Sequence, residues 1–205
     1  MAYHHLALVT RNMKATDHFY REIMGFDLKK VEIGPTPQGG FAKHFFYEIE
    51  PDRFIAFWEL HGEAFANLGE TGLSKAMGLP EWVNHISFYS PTEAHMQEKR
   101  DMWLAGGCDV MEIDHNWCKS VYTRDPNGTL VEYCVTVGVF TEADRELALK
   151  AVTSRKAALN APQLLEASLP RTNTMWRPPL RPVVLTVATT FSIVLLKVPS
   201  AAVIG

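Results

Sequence analysis

Two histidines and one glutamate hold the most chemistry in this chain: His5 in "YHHLALVT", His85 in "WVNHISFY" and Glu132 in "YTRDPNGTLVEYCV". Each lies in a run of β-branched, aromatic and aliphatic residues, the composition of a strand. A carboxylate in such a run is costly to bury without a partner. Alternate residues of a strand share a face. His5 leaves the face of Leu6 and Leu8, His85 that of Ile86 and Phe88, and Glu132 that of Val131, Tyr133 and Val135. With the bulky apolar residues facing helices, the three polar ones face a cavity. Two imidazoles and one carboxylate form a facial set on a divalent metal. That set leaves positions open, as catalysis requires and structural sites do not.

The elements that must position these residues occur in a repeated order. A strand over 3–10 is followed by a helix that Asn12 caps, ending near Met24 with Gly25 just past it. Ala15, Phe19 and Ile23 recur every fourth residue and give that helix one apolar face. Strands are expected over 27–33, 43–49 and 53–60, with a Pro- and Gly-rich loop over 34–40. The order then returns. A strand over 82–89 leads into Ser90-Pro91-Thr92-Glu93, read as a helix start with Ser90 as cap and Glu93 closing a capping box. The second helix stops at Gly106-Gly107, and strands follow over 108–114, 119–124 and 129–135. The expected fold is α+β: two βαβββ modules, residues 1–65 and 80–137, forming a curved mixed sheet around a metal-binding cavity. A C-terminal helix is expected within 138–160, followed by a Pro-rich linker and apolar tail over 161–205 with no role in function.

Bulk properties narrow the function classes. The 205 residues carry a net charge of −3, which removes the basic footprint of a nucleic-acid binder. The three cysteines, Cys108, Cys118 and Cys134, form no CxxC pair and no even framework, which fits a reducing cytoplasm. The N-terminus lacks the charged-then-apolar pattern of a signal peptide. The uncharged run over 183–196 falls short of the about 20 residues that span a bilayer, so no membrane partner is expected. Trp58, Trp82, Trp103 and Trp117 read as core or as walls for an aromatic ligand. His18, His44 and His95 read as structural or surface residues.

The doubled βαβββ order, with "HHLALV", "VNHISF" and "YTRDPNGTLVEYCV", resembles the vicinal oxygen chelate superfamily of glyoxalases, fosfomycin-resistance enzymes, extradiol dioxygenases and bleomycin-binding proteins. The resemblance covers about residues 3–137. It implies that His5, His85 and Glu132 bind one divalent metal, with His4 facing the other way. It also implies a small-molecule substrate and a homodimer. Tyr122, ten residues before Glu132, matches in offset a tyrosine that hydrogen-bonds catecholate in type I extradiol dioxygenases. That match implies Fe(II), with Mn(II), Zn(II) or Ni(II) as alternatives, and a catechol-type aromatic substrate. Tyr122 would orient it, and His115 or His61 would act as acid–base groups. The chain departs from many such enzymes in having two modules rather than four. It also has no histidine over 62–84, where the usual acid–base group would fall. A second implied reading is a glyoxalase-like isomerase or lyase acting on a carbonyl substrate, with Glu59 as a fourth ligand. A third is a binding protein of the bleomycin-resistance type that performs no reaction.

Overall fold

The computed structural model describes residues 3–154 and 163–168. The first module runs β1 (His5–Thr10), α1 (Met13–Asp17), β2 (Asp27–Pro35), β3 (Phe41–Glu50) and β4 (Arg53–His61). The second runs β5 (His85–Tyr89), α2 (Glu93–Ala105), β6 (Val110–Asp114), β7 (Cys118–Arg124) and β8 (Leu130–Thr136). The two expected βαβββ modules are therefore present. Their sheets are ordered β1-β4-β3-β2 and β5-β8-β7-β6, and in each the module's first strand pairs parallel with its last. The chain then adds α3 (Glu142–Thr153) and β9 (Gln163–Ser168).

Local chemistry sets the boundaries. Asn12 caps α1 by accepting from the Ala15 amide at 3.1 Å, as the sequence predicts. The helix then widens into a π-type turn over His18–Ile23 and closes at Gly25, whose φ of +73° costs glycine little. The start of α2 differs from expectation. Its cap is Thr92, which accepts from the His95 amide at 3.1 Å. The Ser90 amide is already spent on the Cys134 carbonyl of β8 at 2.8 Å, which keeps Ser90 in the strand ladder. The fifth strand also starts later than expected, at His85. Residues before it turn instead, with the Val83 amide on the Pro80 carbonyl and the Asn84 amide on Ser74 Oγ. Gln163–Ser168, expected to be linker, pairs antiparallel with β6 as β9. The apolar run over 183–196 and the end expected for the last helix lie outside the described residues.

The two modules share one core, and it lies on their helix-bearing faces. From the first come Phe19, Tyr20, Met24, Tyr47, Ile55 and Phe57. From the second come Phe88, Met96, Trp103, Val131 and Tyr133. Phe26 meets Phe88 edge-on at 5.3 Å between ring centroids, and the Trp103 indole N–H donates to Met24 Sδ at 2.9 Å. Polar ties run the same way: the Tyr20 hydroxyl donates to Asp125 at 3.0 Å, and the Asn127 amide group reaches Thr16 Oγ1 at 3.3 Å. A side chain such as Phe57, with no exposed surface, would cost about 3–5 kcal/mol if cut back to alanine. Because this core uses the helix-bearing faces, the opposite faces turn outward. His5 and Ala7 on β1, and His85, Ser87 and Tyr89 on β5, are all exposed. Each curved sheet thus keeps a second face, on which Phe46 and Trp58 accompany His5 in the first module and Glu132 accompanies His85 in the second.

Candidate metal centre

The second module gathers most of the expected site. β7 and β8 run antiparallel with Tyr122 directly across from Glu132, and β5 lies on the other side of β8 with Ser87 level with Glu132. His85, two residues before Ser87 on the same face, brings its Nε2 to 3.0 Å from Glu132 Oε2. The turn between β7 and β8 fixes this register. Asp125 accepts from the backbone amides of Asn127 and Thr129, and Gly128 takes the left-handed φ of +81° that closes the turn.

His85 and Glu132 shift each other in opposite directions. Glu132 is 4 % exposed. Burial opposes its charge, but the His85 ring and the hydroxyls of Ser120 and Tyr122 beside it outweigh that and hold it below the usual carboxylate range. His85 is shifted the other way, raised chiefly by the Glu132 carboxylate against partial burial. His85 Nδ1 lies 3.1 Å from the Trp82 carbonyl oxygen, which can only accept, so that nitrogen keeps its hydrogen. The nitrogen facing Glu132 therefore needs either a proton or a metal ion between itself and the carboxylate. A separation of 3.0 Å suits two neighbouring ligands on one ion whose bonds are about 2.1 Å. An Nδ1–H held on a backbone carbonyl is the support that ligating histidines usually have. The pair supplies two of the donors that a divalent metal takes.

Tyr122 and His115 complete this face. His115 Nε2 lies 2.9 Å from the Tyr122 hydroxyl. Burial, then the nearby Glu132 charge, push the Tyr122 phenol well above its ordinary value, so it keeps its proton. The tight β6–β7 loop swings His115 back over Tyr122. Asn116 there adopts a φ of +70°, which asparagine tolerates, and its amide is held by Asp114 at 2.7 Å.

The first module holds the other predicted residues, on two different faces. His5 lies on the face of Phe46 and His44, at ring-centroid distances of 5.6 and 6.1 Å. The His4 ring, expected to turn away, instead turns back on its neighbour, with Nδ1 2.9 Å from His5 Nδ1. Glu59 and His61 share the face of Ile55 and Phe57 as expected, but strand alternation makes that the helix-bearing face and not the face of His5. There Glu59 pairs with Lys43 at 2.9 Å and with His61 Nε2 at 3.1 Å, and the His61 ring stacks on Phe41 at 4.3 Å. Among the described residues no group of three or more His, Cys, Asp or Glu side chains is arranged to hold a metal. His85 and Glu132 meet; His5 stands apart from them.

His44, read from the sequence as a structural or surface residue, proves structural. It is buried, stacked on Trp58 at 3.7 Å, and on the face of His5. Burial, then the neighbouring His5, lower its pKa. Strand parity with Phe46 was the available signal, but nothing in the letters distinguished it from a surface histidine.

The two βαβββ modules are the architecture in which this pair sits. The sequence pattern of the Glyoxalase/Bleomycin resistance protein/Dioxygenase superfamily matches residues 2–133, and the chain belongs to that superfamily. Among solved structures it resembles a glyoxylase/bleomycin resistance protein/dioxygenase domain from Frankia sp. EAN1pec, with 14% identity over 66% of this chain and 98% of that one, at a TM-score of 0.51. It is also similar to a fosfomycin resistance protein from Listeria monocytogenes, at 16% identity over 70% and 98% of the two chains and a TM-score of 0.44. A lactoylglutathione lyase from Agrobacterium tumefaciens shares 20% identity over 65% and 92%, at a TM-score of 0.42. No curated protein matches the chain. Among the described residues no helix is long and apolar enough to cross a membrane.

Proposed function

We propose that this chain is a metal-dependent enzyme that opens catechol-type aromatic rings with molecular oxygen, an extradiol dioxygenase using Fe(II). Its metal centre would consist of His85 and Glu132 of one subunit, completed by His5 of the partner subunit in a homodimer. One observation carries the reading of the reaction: the Tyr122 phenol, kept protonated and hydrogen-bonded to His115, stands directly across from Glu132 and beside His85. What supports the homodimer is that β1 and β5 are both edge strands and that His5 and His85 on them are exposed. Setting the first-module face of one copy against the second-module face of another joins the three ligands.

Fe(II) bound there would supply the redox chemistry through which a catechol and O₂ react. The chain's own residues do the rest. Glu132 and His85 hold two positions and leave others open for substrate. Tyr122 donates a hydrogen bond to a catechol oxygen and fixes the ring's orientation. His115, in contact with that hydroxyl, takes or returns the substrate proton. A glyoxalase-type isomerase or lyase using a fourth, carboxylate ligand is the weaker reading. Glu59 is engaged by Lys43 and His61 on the helix-bearing face.

The test is oxygen uptake with a panel of catechols after anaerobic loading with Fe(II), read together with the appearance of a yellow ring-opened product. Uptake with colour, abolished in His85→Ala, is the expected result. Stoichiometric metal binding with no uptake on any catechol would overturn the dioxygenase reading. It would move the weight to redox-neutral isomerase or lyase chemistry. Tight aromatic binding that ignores metal would instead favour a binding protein.

A further inference from the structure

The third helix stands away from the core that the two modules share. Thr141 through Ser154 are exposed at every position, and α3 gives no residue to the core. Leu147 keeps 58 % of its surface and Val152 keeps 81 %. The helix is nevertheless well started. Thr141 and Asp144 form a reciprocal capping box, Arg145 pairs with Glu142 at 2.7 Å, and Lys150 pairs with Glu146 at 3.8 Å. A helix of 12 residues is still marginal in water unless an apolar stripe on it packs against something.

The stripe is present. At 3.6 residues per turn, Ala143, Leu147, Ala148, Ala151 and Val152 fall on one side of α3, with Lys150 and Glu146 along one border. Asp144 interrupts it only in the first turn, where the capping box holds it. The apolar surface continues into Phe140, which stacks on Trp117 at 5.2 Å with both rings exposed. The uncharged run over 183–196 offers apolar surface but no charge to set against Glu146 and Lys150. A second copy of α3 offers both. In an antiparallel pair whose twofold axis passes Ala148, Glu146 of each copy lies level with Lys150 of the other, and the small alanine lets the helices approach closely. Such a contact is self-complementary, as a twofold interface must be.

We propose that α3 is a homodimer surface: it packs antiparallel on α3 of a second copy, burying the Leu147 stripe and pairing Glu146 with Lys150 across the axis. The stripe supplies the attraction, and the charges set direction and register. The pairing rests on the reading of the chain as a homodimer and is independent of the metal centre.

Sedimentation equilibrium of the full chain over a concentration series reads the mass of wild type, Leu147→Glu, Glu146→Lys and Lys150→Glu. Wild type should have the mass of two chains, and Leu147→Glu that of one. Glu146→Lys and Lys150→Glu each set like charges across the axis and should weaken the dimer by at least about tenfold. Mixed together they should recover it, because both cross-axis pairs of the mixed dimer then join Lys to Glu. Since α3 lies outside the core, each variant should keep the near-ultraviolet circular dichroism of the buried Tyr20 and Trp103, which separates loss of pairing from loss of fold. A wild-type chain that stays single throughout overturns the homodimer and the role of α3 together. A dimer that survives Leu147→Glu overturns the role of α3 alone and leaves the homodimer to another surface. Weakened single variants that do not recover on mixing overturn the antiparallel pairing.

Discussion

Tyr122 and Glu132 stand directly opposite one another on β7 and β8, ten residues apart in sequence and joined through the Asp125–Gly128 turn. The carboxylate keeps the phenol protonated, and the phenol helps keep the carboxylate ionised. Removing the hydroxyl while keeping the ring tests whether this pairing serves catalysis. Tyr122→Phe should fold and bind metal as wild type does, yet lose about 10²-fold in kcat/KM on the best catechol. His115→Ala should lose a similar factor. Wild-type turnover in Tyr122→Phe would reduce the residue to a strand aromatic.

Glu132→Gln keeps shape and hydrogen-bonding capacity but removes the charge that His85 faces at 3.0 Å. The fold should survive, since the strand's other side still packs Val131 and Tyr133 into the core. Divalent metal affinity should fall by at least about tenfold. Metal content of the purified variant after reloading and desalting is the check. An unchanged metal content would remove Glu132 from the centre.

The proposed sharing of the centre between subunits makes a prediction that no single-chain site makes. His5→Ala and Glu132→Gln, each alone, should bind metal poorly. Unfolded together and refolded, they form mixed dimers in which one site carries both changes and the other carries neither. Metal binding and oxygen uptake should then reappear in the mixture. A mixture that stays as inactive as its parents would show that the ligands come from one chain or that the copies do not pair.

Much of this was legible in the sequence. The doubled βαβββ order followed from strand composition, from the Asn12 cap and from the Asp-Pro-Asn-Gly turn, because those signals are local. The meeting of His85 with Glu132 and of Tyr122 with His115 was legible in part, through parity and offset. What failed to read through was set by tertiary contacts. The cap of α2 moved to Thr92 because a distant strand claimed the Ser90 amide. The outward direction of the His5 and His85 faces depends on which sides of two sheets bury each other, and periodicity within one strand is silent on that. β9 is held by its pairing with β6 rather than by its own composition.

The cysteines give a pH prediction. Burial pushes the Cys118 thiol up to about 12 and the Cys108 thiol up to about 11, from an ordinary value near 9. At pH 8 both should resist alkylation in the native protein, and the half-buried Cys134 should react first. Mass spectrometry of a timed iodoacetamide reaction counts the adducts. The sign for stability follows from the same shifts. A thiol whose pKa is raised by folding stabilises the fold below about pH 9, and this contribution is lost as pH climbs toward 11 and 12. The buried Tyr20 and Tyr133, also raised by burial, act in the same direction. Urea midpoints should therefore hold steady to about pH 9 and fall above it. A midpoint that rises between pH 9 and 10.5 would contradict the shifts.

Asp125 joins the two modules at the turn that sets the site's register. Its carboxyl accepts from the Tyr20 hydroxyl at 3.0 Å, from the amides of Asn127 and Thr129 at 2.9 and 2.8 Å, and from Asn127 Nδ2 at 3.1 Å. All of these groups lie in the buried seam between the π-type turn after α1 and the β7–β8 turn. Asp125→Ala strands several buried donors at once, each costing about 1–3 kcal/mol, partly offset by water entering the space. Tyr20→Phe removes one donor and leaves an acceptor with three others, so it should cost only about 0.5–1.5 kcal/mol. The expected order in urea unfolding is wild type, then Tyr20→Phe, then Asp125→Ala with a loss of several kcal/mol. Because the turn holds Tyr122 opposite Glu132, Asp125→Ala should also weaken metal binding under conditions where it remains folded, whereas Tyr20→Phe should not. Equal destabilisation by the two variants would mean that the Tyr20 bond alone secures the seam.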